Sequence, residues 1–182
     1  REIRIYFYDY NWDYQLDSLY VQGDNERILA DLIIDGSLYD SVGVRYKGFS
    51  SVSVNRVKNP FNIKLDYVID GQDHYGVDKL KLSNVIQDPS FIREVLTYEI
   101  ARKYMPASNA NFANLYINDT LWGLYTNVES VNKVFCLPRT GKKILIIDCV
   151  DDSYEEVDLP ADYLAVANKN KNFNGYLAPD GW

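Results

Sequence analysis

Between Val42 and Asp66 the sequence reads VGVRYKGFSSVSVNRVKNPFNIKLD, gathering Arg45, Lys47, Arg56, Lys58 and Lys64 in a chain whose net charge is −7. Such a concentration of cations around a Gly-Phe-Ser-Ser turn suits a local anion, above all a phosphate. Gly48 lets the backbone come close to a ligand, and the hydroxyls of Ser50 and Ser51 add donors. In the segment PFNIKLD, period-two alternation sends Phe61, Ile63 and Leu65 to one side and Asn62 and Lys64 to the other. Lys64 is thus the candidate strand lysine, facing a cleft, with Arg56 and Lys58 adding positive field. A triphosphate site also needs a carboxylate to hold that lysine in place. Replacing Lys64 by Ala is expected to abolish phosphoryl transfer while leaving the fold intact.

The carboxylate candidates are Glu94 and Glu99. The segment NVIQDPSFIREVLTYEIARKYMPAS predicts a helix of about four turns, with Asp88 as N-cap, Pro89 at the first helical position and Pro106 as the stop. At 100° per residue, Ile92, Val95, Leu96 and Ile100 share one arc. Glu99 falls inside that arc and Glu94 roughly opposite it. A carboxylate on an apolar stripe needs a cationic partner, because burying it alone is costly.

The elements that must position these groups are mostly strands. REIRIYFY, RILADLIID, SLYDSVGVRYKG and PFNIKLDYVI alternate with period two, and Asp35-Gly36 between two such runs predicts a hairpin. Up to residue 70 this reads as an antiparallel meander. After the helix, ANFANLYI and TLWGLYTNVE form a second hairpin about Asn118-Asp119, SVNKVF could begin a short helix, and KKILIIDCV reads as a buried strand. The expected fold class is therefore α+β, an antiparallel sheet with one packed helix. It follows the plan of a protein-kinase amino-terminal lobe (1–130), with 131–182 as a partial or degenerate carboxy-terminal lobe of a single domain.

Composition narrows the function classes. A net charge of −7 argues against general nucleic-acid binding. No window approaches the 18 apolar residues of a membrane span. The chain opens on Arg1 with no apolar leader, which is expected of a mature or trimmed product. Cys136 and Cys149 could form one disulfide but do not resemble a zinc site, and His74, in the polar turn DGQDHYG, reads as a loop residue and not as a ligand or base. The 16 tyrosines suit half-buried strand faces and also keep open an extracellular carbohydrate-binding module.

Four ordered stretches, VGVRYKGFSS, KNPFNIKLD, GVDKLKLSNVIQDPSFIREVLTYEIARKYMPAS and NLYINDTLWGLYTNVESVNKVF, resemble the CotH (spore coat protein H) kinase family over roughly residues 25 to 135. The resemblance implies an atypical protein kinase, secreted or at the spore or cell surface. Such an enzyme uses ATP with Mg2+ or Mn2+ and phosphorylates Ser or Thr of a partner protein, such as a Ser-rich one. It carries Arg45, Lys47, Gly48, Ser50 and Ser51 onto the family's phosphate-proximal turn, and Lys58 and Lys64 onto its basic strand. Arg93 and Glu94 fall on its R-E pair, and Asn127 and Glu129 near a hinge that would meet the adenine.

The sequence departs from the family pattern towards its end. Asn168-Lys169-Asn170 has no Asp at the base position, and no W-D-x-D segment occurs before Trp182. Asp148, Asp151, Asp152 and Asp180 are the acids there, and none has the motif context of a catalytic base or metal ligand. Catalytic and metal residues are therefore unassigned from sequence. The chain is expected to be either an incomplete piece of the domain or a non-catalytic member serving as a structural or assembly module.

Overall fold

A computed structural model describes residues 1–23, 26–131 and 135, and the backbone of 143–148 and 163–168. The chain divides into two compact units, Arg1–Ser130 and Val131–Trp182.

In the first unit, seven strands close into a barrel: β1 (Glu2–Phe7), β2 (Ile28–Ile34), β3 (Ser37–Tyr46), β4 (Phe61–Lys64), β5 (Lys79–Ser83), β6 (Ala110–Ile117) and β7 (Thr120–Glu129). Their order around the barrel is β1-β2-β3-β4-β5-β7-β6. Alternation fills the interior: Ile3, Ile5, Ile34, Val42, Val44, Phe61, Ile63, Leu82 and Leu115 are fully buried. Each such side chain contributes roughly 1.5–3 kcal/mol over its exposed state. Two helices accompany the barrel, α1 (Trp12–Gln22) and α2 (Arg93–Ala101). Trp12 and Leu16 of α1 join the core, with Trp12 stacked on Phe7 at 4.7 Å and edge-on to Trp122 at 5.4 Å. The second unit contains β8 (Lys143–Asp148) and β9 (Tyr163–Asn168), paired in parallel from Lys143↔Tyr163 to Asp148↔Asn168. The strand expected in KKILIIDCV is thus present over Lys143–Asp148. The helix expected in SVNKVF falls largely outside the described residues. No helix among the described residues is long and apolar enough to cross a membrane.

The expected fold class is overturned. The protein is mostly β, a closed barrel with two short helices, and not a kinase-like lobed α+β fold with one packed helix. The pairing responsible is β1 with β6, parallel, Ile3 opposite Leu115. It joins segments more than a hundred residues apart, and period-two alternation says which face a residue takes but not which strand lies beside it. The stretch KLKLS supplies the extra strand β5, and α1 occupies WDYQLDSLYVQ, where no helix was expected.

The helix of the second half also differs. It spans nine residues and buries none of them. Of the expected packing arc, Val95 is half-buried, whereas Ile92, Leu96 and Ile100 are 53%, 46% and 48% exposed, and Glu99 is exposed with them. The half-buried positions are Glu94, Val95, Tyr98 and Ala101, a stripe that shares only Val95 with that arc. Asp88 does not start the helix. Its carboxylate accepts from Ser90 N (3.0 Å), Ser90 Oγ (2.5 Å) and Arg93 N (2.8 Å), so it caps the turn before α2, and the bond from the Ser90 hydroxyl holds its pKa below the usual range.

His74 lies in the connection between β4 and β5 and is buried, at 5% exposure. Arg1 Nη1 donates to its Nε2 at 2.8 Å, and Nδ1 lies 2.6 Å from Tyr39 Oη. Arginine can only donate, so Nε2 is the acceptor and Nδ1 carries the hydrogen of a neutral ring. Burial and the charge of Arg1 lower its pKa from the ordinary histidine value of about 6.5. The unfolded chain therefore binds the proton more readily than the folded one. Stability is whole above about pH 6.5 and falls as pH drops from there towards the lower folded value. A thermal melt series from pH 7.5 to pH 5 should show this loss, and His74→Gln should flatten it. An unchanged slope in the variant would assign the loss to other groups.

Candidate functional site

The loop between β3 and β4 is held at its base and open at its tip. Gly48 takes φ +90°, and a Cβ there would stand 2.4 Å from Ser51 Oγ, so only glycine fits the bend. Lys47 N donates to Pro60 O at 3.0 Å, closing the loop. Inside it lies Asn59, fully buried. Its Oδ1 accepts from Ser53 N, and its Nδ2 donates to Ser53 O and Arg56 O, each at 3.0 Å. Its own carbonyl accepts from Tyr125 Oη at 3.0 Å. Asn84, just after β5, donates to Ser51 O and Lys58 O, both at 3.0 Å, and so ties the loop to the next strand. Phe49, at the tip, is 79% exposed.

This frame aims Lys47 at α2. Its Nζ donates to Ser83 Oγ at 2.9 Å, and Ser83 Oγ donates onward to Glu94 Oε1 at 3.4 Å. Burial lowers the pKa of Lys47, Glu94 opposes that shift, and the charge of Lys81 adds to it. Lys47, Ser51, Ser83, Asn84, Arg93 and Glu94 line a cavity of about 360 Å³. A second cavity, of about 450 Å³, shares Asn84, Val85, Ile86 and Asp88 with the first and adds Arg56, Lys58 and Phe91. Lys58 Nζ donates to Leu124 O at 2.7 Å and lies 4.8 Å from the ring centres of Phe91 and Tyr125. Val85, in the wall common to both, has φ +54°. A β-branched residue in that region is strained, and such strain concentrates at functional sites.

Of the residues expected from sequence, the structure brings Lys47, Ser51 and Glu94 to one cavity, Lys58 to its neighbour, and Gly48 and Ser50 to the loop between. The rest lie apart. Lys64 Nζ sits 3.6 Å from Asp66 Oδ1, and Lys64 is opposite Gly43 and Lys79, away from the Ser83 end of β5. Glu99 is exposed on α2. Glu129 Oε2 accepts from Asn109 N (2.9 Å) and Nδ2 (3.0 Å), fastening the end of β7 to the segment that enters β6. Asn127 is buried. Arg45 is half-buried on the outer face of β3, and burial lowers its pKa. Asp151, Asp152 and Asp180 fall outside the described residues, as do Cys136 and Cys149; of Asp148 only the backbone is described.

Ser83, Asn84, Lys81 and Arg27 belong to the neighbourhood and were not singled out from sequence. The alternation in KLKLS carries a signal for two of them: Leu80 and Leu82 point inward, so Lys79, Lys81 and Ser83 must point outward.

The residues present suit a phosphate. An ammonium, serine hydroxyls and a guanidinium are donors; the acids on the lining are Glu94, which Ser83 engages, and Asp88, which lies 3.7 Å from Arg93 Nε. Among the described residues, no group of three or more His, Cys, Asp or Glu side chains gathers to hold a metal ion. A family model described as CotH kinase protein matches residues 44–176, well over half of the chain. No curated protein matches it.

Proposed function

Because the chain belongs to the CotH kinase protein family, we propose that it binds ATP, with Mg2+ or Mn2+, and passes the γ-phosphate to a Ser or Thr hydroxyl of a protein at the spore or cell surface. The observation that carries this reading is the Lys47–Ser83–Glu94 chain of hydrogen bonds at the wall of the 360 Å³ cavity.

ATP, when bound, supplies the phosphoryl group to be transferred. Lys47 presents an ammonium already removed from bulk water, so it exchanges little solvation when it donates to a phosphate oxygen. Ser83 and Glu94 fix its direction. Glu94 neutralises its charge in the ligand-free protein, at one hydroxyl's distance, so the lysine stays available to an anion. Ser51 and Ser50, on the Gly48 bend, add hydroxyl donors, and Arg93 at the start of α2 adds charge at the rim. Lys58, in the adjoining cavity, extends the positive field. Charge stabilisation of this kind is the main thing a protein contributes to phosphoryl transfer.

A thermal-shift titration with MgATP tests binding. At a hundred times the dissociation constant the protein should gain about 2.7 kcal/mol. The absence of any shift at millimolar MgATP would remove the nucleotide from the proposal. Transfer of radiolabelled phosphate to a Ser-rich protein tests catalysis. Binding without transfer would leave a non-catalytic member that uses the same site to hold a phosphate.

A further inference from the structure

The alternation that buries Ile3, Ile5 and Phe7 turns Arg4, Tyr6 and Tyr8 outward. Register carries this outer face across the neighbouring strands. Leu121 of β7, Tyr116 of β6, Arg4 of β1, Ile33 of β2 and Leu38 of β3 pair in turn, making one row over strands about 4.8 Å apart. Leu121 and Leu38, at its ends, are 58% and 59% exposed. The row is apolar apart from Arg4, whose guanidinium carbon lies 4.3 Å from the centre of the Tyr116 ring.

One step along the strands lies a second band, and it is polar. Tyr6 stands opposite Asp31. Its Oη donates to Asp119 Oδ1, in the turn between β6 and β7, at 2.6 Å. Tyr8 Oη donates to Asp31 Oδ1 at 2.5 Å, and the same oxygen accepts from Ser41 N at 3.0 Å. Each carboxylate is thus held through one oxygen. Its other oxygen, Oδ2, takes no hydrogen bond among the described residues.

This pairing of bands defines the chemistry of a partner. Arg4 Nε donates to Glu2 Oε1 at 2.8 Å and its Nη1 to Asp119 Oδ1 at 3.4 Å, so the one guanidinium is engaged while Glu2, Asp31 and Asp119 supply three carboxylates. An anion is repelled there. The two unused carboxylate oxygens call for hydroxyl donors, and the apolar row calls for C–H surface. A sugar ring offers both, its C–H face to tyrosine and leucine and its hydroxyl edge to the carboxylates. A row that crosses five strands suits an extended chain of such rings.

We propose that the outer face of β6, β1 and β2 binds an uncharged polysaccharide, its rings packed along the row from Tyr116 to Leu38 and its hydroxyls donating to Asp119 and Asp31. The inference is independent of the nucleotide reading. It employs Tyr6, Tyr8 and Tyr116, tyrosines that the Lys47 site leaves unused.

Retardation of the 182-residue chain in native gels cast with polysaccharide tests this. The neutral probes are mixed-linkage β-glucan, arabinoxylan and hydroxyethylcellulose. Polygalacturonate is the anionic counterpart, and polylysine, followed by calorimetry, stands for a basic protein. At least one neutral probe should retard the parent. Tyr8→Ala and Tyr116→Ala should each weaken that affinity roughly tenfold, the value of a well-used aromatic contact. Asp119→Asn keeps an acceptor for Tyr6 but puts a donor where a hydroxyl would donate, so it should weaken binding at an unchanged melting temperature. Tyr104→Ala, at an 84% exposed position, and Lys47→Met should bind as the parent does. The proposal falls if no neutral probe retards the chain, if polygalacturonate retards it equally, or if Tyr8→Ala, Tyr116→Ala and Asp119→Asn all bind undiminished. Binding of polylysine in place of polysaccharide, lost in the same variants, would overturn the sugar and assign the face to a basic protein. Failure of MgATP to bind, with retardation intact, would overturn the nucleotide reading and leave this face standing.

Discussion

Lys47→Met should reduce ATP affinity and phosphate transfer by about 100-fold or more while leaving the fold intact. The ammonium is half-buried and donates to Ser83, which in turn donates to Glu94. Methionine matches the stem of lysine in length and fills the same space without charge. Burial already disfavours the ammonium, so the melting temperature of the variant should equal or exceed that of the parent. Lys64→Met is the discriminating partner. The alternation of PFNIKLD favours Lys64 for this role, but its ammonium is 3.6 Å from Asp66. Near-complete activity in Lys64→Met, with loss in Lys47→Met, would assign phosphate holding to Lys47. The opposite pattern would sink the proposed site. Glu94→Gln should fall between, because it leaves a hydrogen-bond acceptor for Ser83 but no charge to balance Lys47.

The second large effect is on stability. Asn59→Ala should destabilise the barrel unit by about 3 kcal/mol, because three hydrogen bonds of a fully buried side chain disappear together at about 1 kcal/mol each. At roughly 2–4 °C per kcal/mol for a chain of this size, the melting temperature should drop on the order of 6–12 °C. Urea unfolding measures the change directly. A cost below about 1 kcal/mol would mean that the loop organises itself without Asn59. Because the same side chain shapes the Gly48–Lys58 loop, phosphate binding should weaken alongside stability. Tyr125→Phe, which removes only the bond to Asn59 O, should cost about 1 kcal/mol.

Much of the candidate site was legible before any coordinates. The cation-rich loop, the glycine bend and the serines stand next to one another in the chain, and local chemistry is what a contiguous stretch records. The same holds for the hairpins at Asp35-Gly36 and Asn118-Asp119, whose turn residues adopt the positive φ values that such turns demand. Long-range choices were not legible. Which lysine meets the helix depends on strand order, and which side of α2 faces the barrel depends on what packs there. Ile92, Val95, Leu96 and Ile100 make a good apolar arc on paper, yet the half-buried stripe is Glu94, Val95, Tyr98 and Ala101, which shares only Val95 with it.

What the amino-acid order determined by itself was therefore one-dimensional: alternating strands, two-residue turns, a family signature and a patch of positive charge where a phosphate is wanted. Tertiary structure alone decided that β1 closes on β6, and that Lys47 and not Lys64 meets Glu94 through Ser83. The physical reason is the range of the forces involved. Backbone sterics and side-chain alternation act between neighbours in the chain, whereas strand pairing, burial and the meeting of charges are settled between residues that only folding brings within a few ångströms of each other.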